Sequence, residues 1–180
     1  VLHMLQTRTG KRTPLAAARI AMDLLEEGLI DAATAHERTA GLQESDMGRV
    51  QIAPVDDKQT PVSPCARAAT ACPGVVSGEI ALDGERAAAR AAQGVQVVLV
   101  RQDAETSDIV ALESAVGLLT QRGARTSHAA VVARQLGRVC LVGCDNLHIE
   151  SEARTIRLGD LVLQEGDTIT LDGNEGAVYD

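Results

Sequence analysis

From residue 74 onward, short and almost wholly apolar runs alternate with helix-forming stretches, and this alternation restricts the fold more than any other feature. "GVVSGEIAL" reads as a strand, "ERAAARAAQ" as an alanine-rich helix, and "VQVVLV" as a buried strand. "SDIVALESA" reads as a short helix capped by Ser107, followed by the strand "VGLLT". A loop and helix follow in "RGARTSHAAVVARQLGR", then the strand "VCLVG". Runs that are apolar on both alternating faces have to be covered on both sides, the condition of parallel strands joined by crossover helices. The end of the chain differs. "RTIRL", "LVLQ", "TITLD" and "AVYD", punctuated by "GD", "EGD" and "DGNEG", predict short hairpin-linked strands. Residues 66–180 are therefore expected to form one α/β domain with some parallel pairing and a β-rich closing portion.

The opening residues predict something else. "TPLAAARIAMDLLEEG" has Thr13 as N-cap, Pro14 at the first helical position and Gly28 as stop, with Leu15, Ala18, Met22 and Leu25 as its apolar face. Asp31 is placed to cap a second helix, "AATAHERTA", ended by Gly41. Residues 1–41 are thus a helical segment. Residues 42–65 hold three prolines without steady periodicity and predict a linker. The start at Val1 rather than Met predicts a piece of a longer chain.

Several functions are disfavoured by what the chain lacks. With no Phe or Trp and only Tyr179, it has no aromatic platforms for single-stranded nucleic acid. A net charge of −8 argues against a general nucleic-acid or anionic-membrane binder. Its apolar runs fall short of the roughly 20 residues that span a bilayer. Cys65, Cys72, Cys140 and Cys144 are too few for a disulfide-built secreted domain and predict reduced thiols and a cytoplasmic protein.

Charge is uneven, and the unevenness points to a site. From Ser114 to Cys144 there are four arginines, Arg122, Arg125, Arg134 and Arg138, and no Asp or Glu. A positive island in an acidic chain suits a small anion better than a polyanion. Within it, "RGARTSHAAVVARQLGR" sets His128 where a loop turns into a helix, and helix starts present unpaired N–H groups and a positive dipole end. Thr126 and Ser127 supply hydroxyls and cap geometry, Gly123 loosens the loop, and Arg122 and Arg125 carry guanidinium groups that match phosphate oxygens. A neutral imidazole is a nucleophile near pH 7, its unperturbed pKa being about 6.5. The physical reading is a histidine that carries a phosphoryl group. The competing one makes His128 a core residue, because Val131, Val132 and Leu136 follow it at helical spacing.

Other chemistries fit less well. "GKRT" resembles a P-loop, but Leu5 stands where that motif needs Gly, and Arg12 where it needs Ser or Thr. Cys140, Cys144 and His148 are four apart, a zinc spacing only if they lie on a helix, whereas "VCLVGCDNLHI" reads as strand and turn. Metal is therefore not expected. A hydrolytic pair of Ser127 and His128 lacks the surrounding G-x-S-x-G.

The segment "GARTSHAAVVARQLGRVCLVGC" closely resembles the phosphohistidine stretch of the phosphoenolpyruvate-utilising enzymes, in the form found in pyruvate phosphate dikinases. "MLQTRTGKRT", "ACPGVVSGEI" and "GDTITLDGNEGAVYD" resemble other parts of the same family, so the likeness runs essentially end to end. It implies a swivelling β/β/α phosphohistidine domain with an N-terminal helical appendage leading from a nucleotide-binding domain. It also implies that His128 is transiently phosphorylated while ATP, phosphate and pyruvate become AMP, pyrophosphate and phosphoenolpyruvate. Arg122, Gly123, Arg125, Thr126 and Ser127 would stabilise the phosphate, and Thr126 matches a threonine modified by a regulatory kinase/phosphorylase. The implied partners are an ATP-binding domain and a pyruvate/phosphoenolpyruvate barrel domain. These would hold Mg2+, while this chain, expected to be monomeric and inactive in full turnover alone, would bind no cofactor. Ala124 replaces a usual glycine, Arg125 a usual Met, and Cys72 a usual Ser. The alternatives are the same domain of a phosphoenolpyruvate synthase and a non-catalytic module that docks anionic partners.

Overall fold

Thr13 begins the first helix as its position predicts. The computed structural model describes residues 12–43, 48, 52, 63–105 and 108–180, in two compact units, Val1–Arg49 and Val50–Asp180. In the first unit, the Thr13 hydroxyl accepts from the Ala16 N–H at 3.3 Å and starts α1 (Pro14–Glu26). Gly28, at φ +70°, turns the chain out of that helix. Asp31 accepts from the Thr34 N–H at 2.8 Å and starts α2 (Ala32–Thr39); hydrogen bonding by the Thr34 side chain, and then by this N–H, holds its carboxyl below the usual carboxylate range. The second helix stops short of Gly41, because the Thr39 hydroxyl donates to the Ala35 and His36 carbonyls and draws the last turn closed. The predicted apolar face is corrected too. Where α1 and α2 pack together, Ala21 and Ala35 are the buried residues, while Leu15 and Met22 remain exposed. Two short helices enclose little volume, and small side chains allow the closest approach.

The second unit contains β1 (Ala66–Arg67), β2 (Ala69–Cys72), β3 (Val75–Ala81), α3 (Gly84–Ala91), β4 (Val97–Arg101), α4 (Asp108–Ser114), β5 (Gly117–Thr120), α5 (His128–Gln135) and β6 (Val139–Val142). It closes with β7 (Leu147–Glu150), β8 (Thr155–Leu158), β9 (Leu161–Gln164), β10 (Thr168–Asp172) and β11 (Ala177–Tyr179). The main sheet runs β1-β11-β10-β3-β4-β5-β6-β2. Its centre, β3 to β6, is parallel, as the apolar runs require, and both flanks are antiparallel. A separate antiparallel sheet, β7-β8-β9, is built from the last hairpins.

Strand alternation sorts the side chains into two cores. Val97, Leu99, Leu118, Cys140 and Val142 meet the small residues of the helices, Ala87, Ala111, Ala129, Ala130 and Ala133. Their strand neighbours Val98, Val100, Leu119, Val139 and Leu141 meet Leu147, Ile156 and Leu158 of the small sheet. The domain is thus three layers, sheet on sheet on helix, the expected β/β/α architecture. One ion-pair network joins the layers. Arg154, at φ +53°, donates to Asp83 at 2.6 Å and to Glu165 at 2.7 Å, and Glu165 also accepts from the Leu82 N–H.

Three strands were not legible in advance: β1, β2 and β7. The first two lie at opposite edges of the main sheet, in "ARAATAC", where only Thr70 favours a strand locally. Pairing with β11 and β6 creates them. The Ser107 cap, the "GKRT" stretch up to residue 11 and most of the 42–65 linker lie outside the described residues.

Candidate active site

Polar ties fix the loop that leaves β5. The Thr120 hydroxyl, almost fully buried, donates to the Arg122 carbonyl at 2.6 Å, and the Arg122 N–H donates to Gln102 at 2.8 Å. The Thr120 carbonyl accepts from the Cys144 N–H, and the Ser127 N–H donates to Ala124, both at 2.9 Å. Gly123, at φ +114°, makes the bend between these ties, a conformation that a side chain rarely adopts. The loop therefore crosses the carboxyl ends of the parallel strands, where α/β sheets commonly bind ligands.

Ser127 ends the loop as the N-cap of α5. It is extended, with φ −60° and ψ 154°, and its hydroxyl accepts from the Ala130 N–H at 3.3 Å. That role argues against Ser127 as a hydrolytic nucleophile activated by His128, and no hydrogen bond joins the two. His128 becomes the first helical residue. Its side chain is exposed, and neither ring nitrogen has a hydrogen-bond partner among the described residues. The backbone N–H groups of His128 and Ala129 are unpaired among them as well.

The core-residue reading of His128 is overturned by how the helix sits. Ala129, Ala130 and Ala133 face the sheet, whereas Val131 is 37% and Leu136 39% exposed. Alanine lets the helix axis come close to the strands, so of the larger apolar stripe following His128 only Val132 packs against the core, while Val131 and Leu136 turn toward solvent.

The four arginines divide into two pairs. Arg122 and Arg125 are exposed, with no ion pair or side-chain hydrogen bond among the described residues. Arg134 donates to the carbonyls of Ala71 and Arg125, and Arg138 to that of Glu113. Sequence reasoning counted Arg134 and Arg138 only as charge. Their carbonyl partners are up to 63 residues away, and no local signal announces them. Gly123, Thr126, Arg122 and Arg125 all sit exposed in the loop just before His128, with Ser127 half-buried.

The zinc spacing does not assemble. Cys140 lies in the helix-side core and Cys144 in the sheet-side core, while His148 is exposed on β7. Among the described residues no group of three or more His, Cys, Asp or Glu could hold a metal. All four thiols are free. Burial pushes the Cys140 thiol up to about 12 and the Cys144 thiol up to about 11. Because the thiolate is the reactive form, iodoacetamide at pH 8 is expected to leave both unmodified in the folded protein and to alkylate both in urea. Peptide mass spectrometry checks this, and alkylation without denaturant would contradict the burial described. No described helix is long and apolar enough to cross a membrane.

Residues 94–176 match the family model described as "PEP-utilising enzyme, mobile domain". The chain is similar to the pyruvate, phosphate dikinase of Clostridium symbiosum, at 40% identity over 99% of this chain and 20% of that protein. It is similar to the chloroplastic pyruvate, phosphate dikinase of Flaveria pringlei at 38% over 98% and 18%, and to the Giardia intestinalis dikinase at 37% over 99% and 20%. The chain spans about a fifth of the length of these curated relatives. Among solved structures, an Enzyme I protein determined by NMR matches 47% of this chain and 30% of its own, at 32% identity and TM-score 0.33. Residues 94–176 of this three-layered α/β domain thus carry the mobile domain of the phosphoenolpyruvate-utilising enzymes, in a chain alike to pyruvate, phosphate dikinases over nearly its whole length.

Proposed function

We propose that this chain is the phosphoryl carrier of a pyruvate phosphate dikinase-type enzyme, with His128 as the group that takes up and passes on phosphate. The observation that carries the reading is an exposed imidazole, uncommitted among the described residues, at the first position of a capped helix. A ring nitrogen attacks phosphorus, the bond to the leaving oxygen breaks, and the product gains a group bearing about two negative charges. The amides at the start of α5 and the guanidinium groups of Arg122 and Arg125, all without partners among the described residues, supply donors for that charge. Ser127 uses its oxygen as the cap but keeps a hydroxyl proton to donate. Gly123 and Thr126 complete the loop around the phosphate.

In the full reaction ATP delivers a pyrophosphoryl group to His128, inorganic phosphate removes one phosphate as pyrophosphate, and pyruvate accepts the other as phosphoenolpyruvate. An ATP-binding domain and a barrel domain, each using Mg2+, serve as the two stations. Free, buried thiols suit a reducing compartment such as the cytoplasm. The test is mass spectrometry of the chain after incubation with phosphoenolpyruvate and a competent partner domain. A single phosphoryl group on His128, acid-labile and base-stable, is expected. Absence of label despite a competent partner would favour a docking module instead.

Thr126 gives the site a means of control by a regulatory kinase/phosphorylase. A negative charge there repels the incoming donor, by about 1 kcal/mol at ~4 Å in water. A Thr126→Asp chain is therefore expected to label about fivefold more slowly, and Thr126→Val nearly at the parental rate. Equal rates for all three chains would argue against charge control at this position.

A further inference from the structure

We propose that Arg134 is a positioning residue for phosphoryl transfer at His128, an inference that rests on the carrier reading above. Arg134 lies in the last turn of α5, and its Nε and Nη2 donate to the Ala71 carbonyl at 3.3 and 2.9 Å. Nη2 also donates to the Arg125 carbonyl at 3.3 Å. One guanidinium thus joins three pieces of chain: the helix bearing His128, the edge strand β2, and the loop that precedes the histidine.

The tie to Arg125 has a directional consequence. In a trans peptide the carbonyl and the following N–H point opposite ways. Holding the Arg125 carbonyl toward Arg134 therefore aims the Thr126 N–H away from it, and that N–H has no partner among the described residues. The Arg125–Thr126 peptide could otherwise rotate, carrying this donor and the Arg125 guanidinium out of register with the imidazole. Arg134 is itself exposed, with only its bonds to Ala71 part-buried, so its loss should loosen the loop without unfolding the domain.

Phosphoramidate tests this in the chain by itself. The imidazole nitrogen forms a bond to phosphorus as the phosphorus–nitrogen bond of the reagent breaks and ammonia leaves with a proton. Arg134→Gln and Arg134→Lys are compared with the parent by labelling rate, by the phosphorus-31 resonance of the phosphohistidine, and by thermal midpoint. Lysine keeps the charge but lacks the planar fork that spans two carbonyls. Both variants are expected to label about tenfold more slowly, with a shifted phosphorus resonance and a nearly unchanged midpoint. Parental rate and resonance in both variants would overturn the inference alone, as would full recovery by lysine, which would leave only a charge effect. A parent chain that takes no label at His128 would overturn the carrier reading, and this inference with it.

Discussion

A chain carrying His128→Ala is expected to take up no phosphoryl group, yet to fold as the parent does. Both halves follow from one placement. The imidazole is exposed and makes no hydrogen bond among the described residues, so its removal leaves no buried partner unsatisfied. Alanine is the best helix former, so the first turn of α5 persists. An exposed substitution of this kind stays within about 0.5 kcal/mol. The chemistry, in contrast, has no substitute: Ser127 is engaged as the cap, and the guanidinium groups of the nearby arginines only donate hydrogen bonds and are not nucleophiles. The measurement is acid-labile, base-stable label in parent and variant, beside their urea midpoints. Label persisting in the variant would move the acceptor elsewhere, and a large fall in midpoint would show that His128 does structural work.

The second large effect falls on stability. Leu141 lies in β6, between β5 and β2, and is fully buried in the core between the two sheets. Truncation to alanine removes its contacts and leaves a cavity that flanking strands cannot collapse into without breaking their ladders. Leu→Ala in such places costs roughly 2–5 kcal/mol, and about 3 kcal/mol is expected here. Against a usual total of about 5–15 kcal/mol this is a major loss, about 10 °C in thermal midpoint. Leu136→Ala serves as the control: it sits at the end of α5, 39% exposed, and is expected to change little. Urea denaturation should show a lower midpoint for Leu141→Ala at an unchanged slope. A loss below about 1 kcal/mol would mean that the sheet-on-sheet layer is loosely packed.

The two results use different parts of the same segment. Residues 120–128 are held by bonds that converge from β4, the end of β6 and α5, and the inter-sheet core keeps those strands in register. A core defect therefore reaches the site only through the loop's anchors, Thr120 and Arg122, whereas loss of the imidazole touches nothing else.

Much of the domain was legible because its signals are local. Both helix caps in the first unit, the Ser127 cap, the four central apolar strands and the closing hairpins each depend on residues within a few positions of one another. The loop before His128 was legible for the same reason, with glycine, hydroxyls and arginines adjacent in the chain. What was misread depended on distant partners. Strands β1 and β2 exist through pairing with β11 and β6. The face of α1 was assigned to Leu15, Ala18, Met22 and Leu25, of which Ala18 and Leu25 are half-buried but Leu15 and Met22 are exposed, while Ala21 is the buried residue.

By itself the sequence determined an α/β domain with a β-rich closing portion, and a helix start at Thr126 or Ser127 with a histidine placed on it, since periodicity and capping are properties of neighbouring residues; the β/β/α layering was implied only by the family resemblance. Only the tertiary structure decided that α5 turns its alanines to the sheet and leaves His128 in solvent. It also decided that Arg134 and Arg138 hold carbonyls while Arg122 and Arg125 have no side-chain partner among the described residues. The reason is geometric: the orientation of a helix and the partner of a side chain depend on which strands lie beneath them, and those strands come from parts of the chain that meet only on folding.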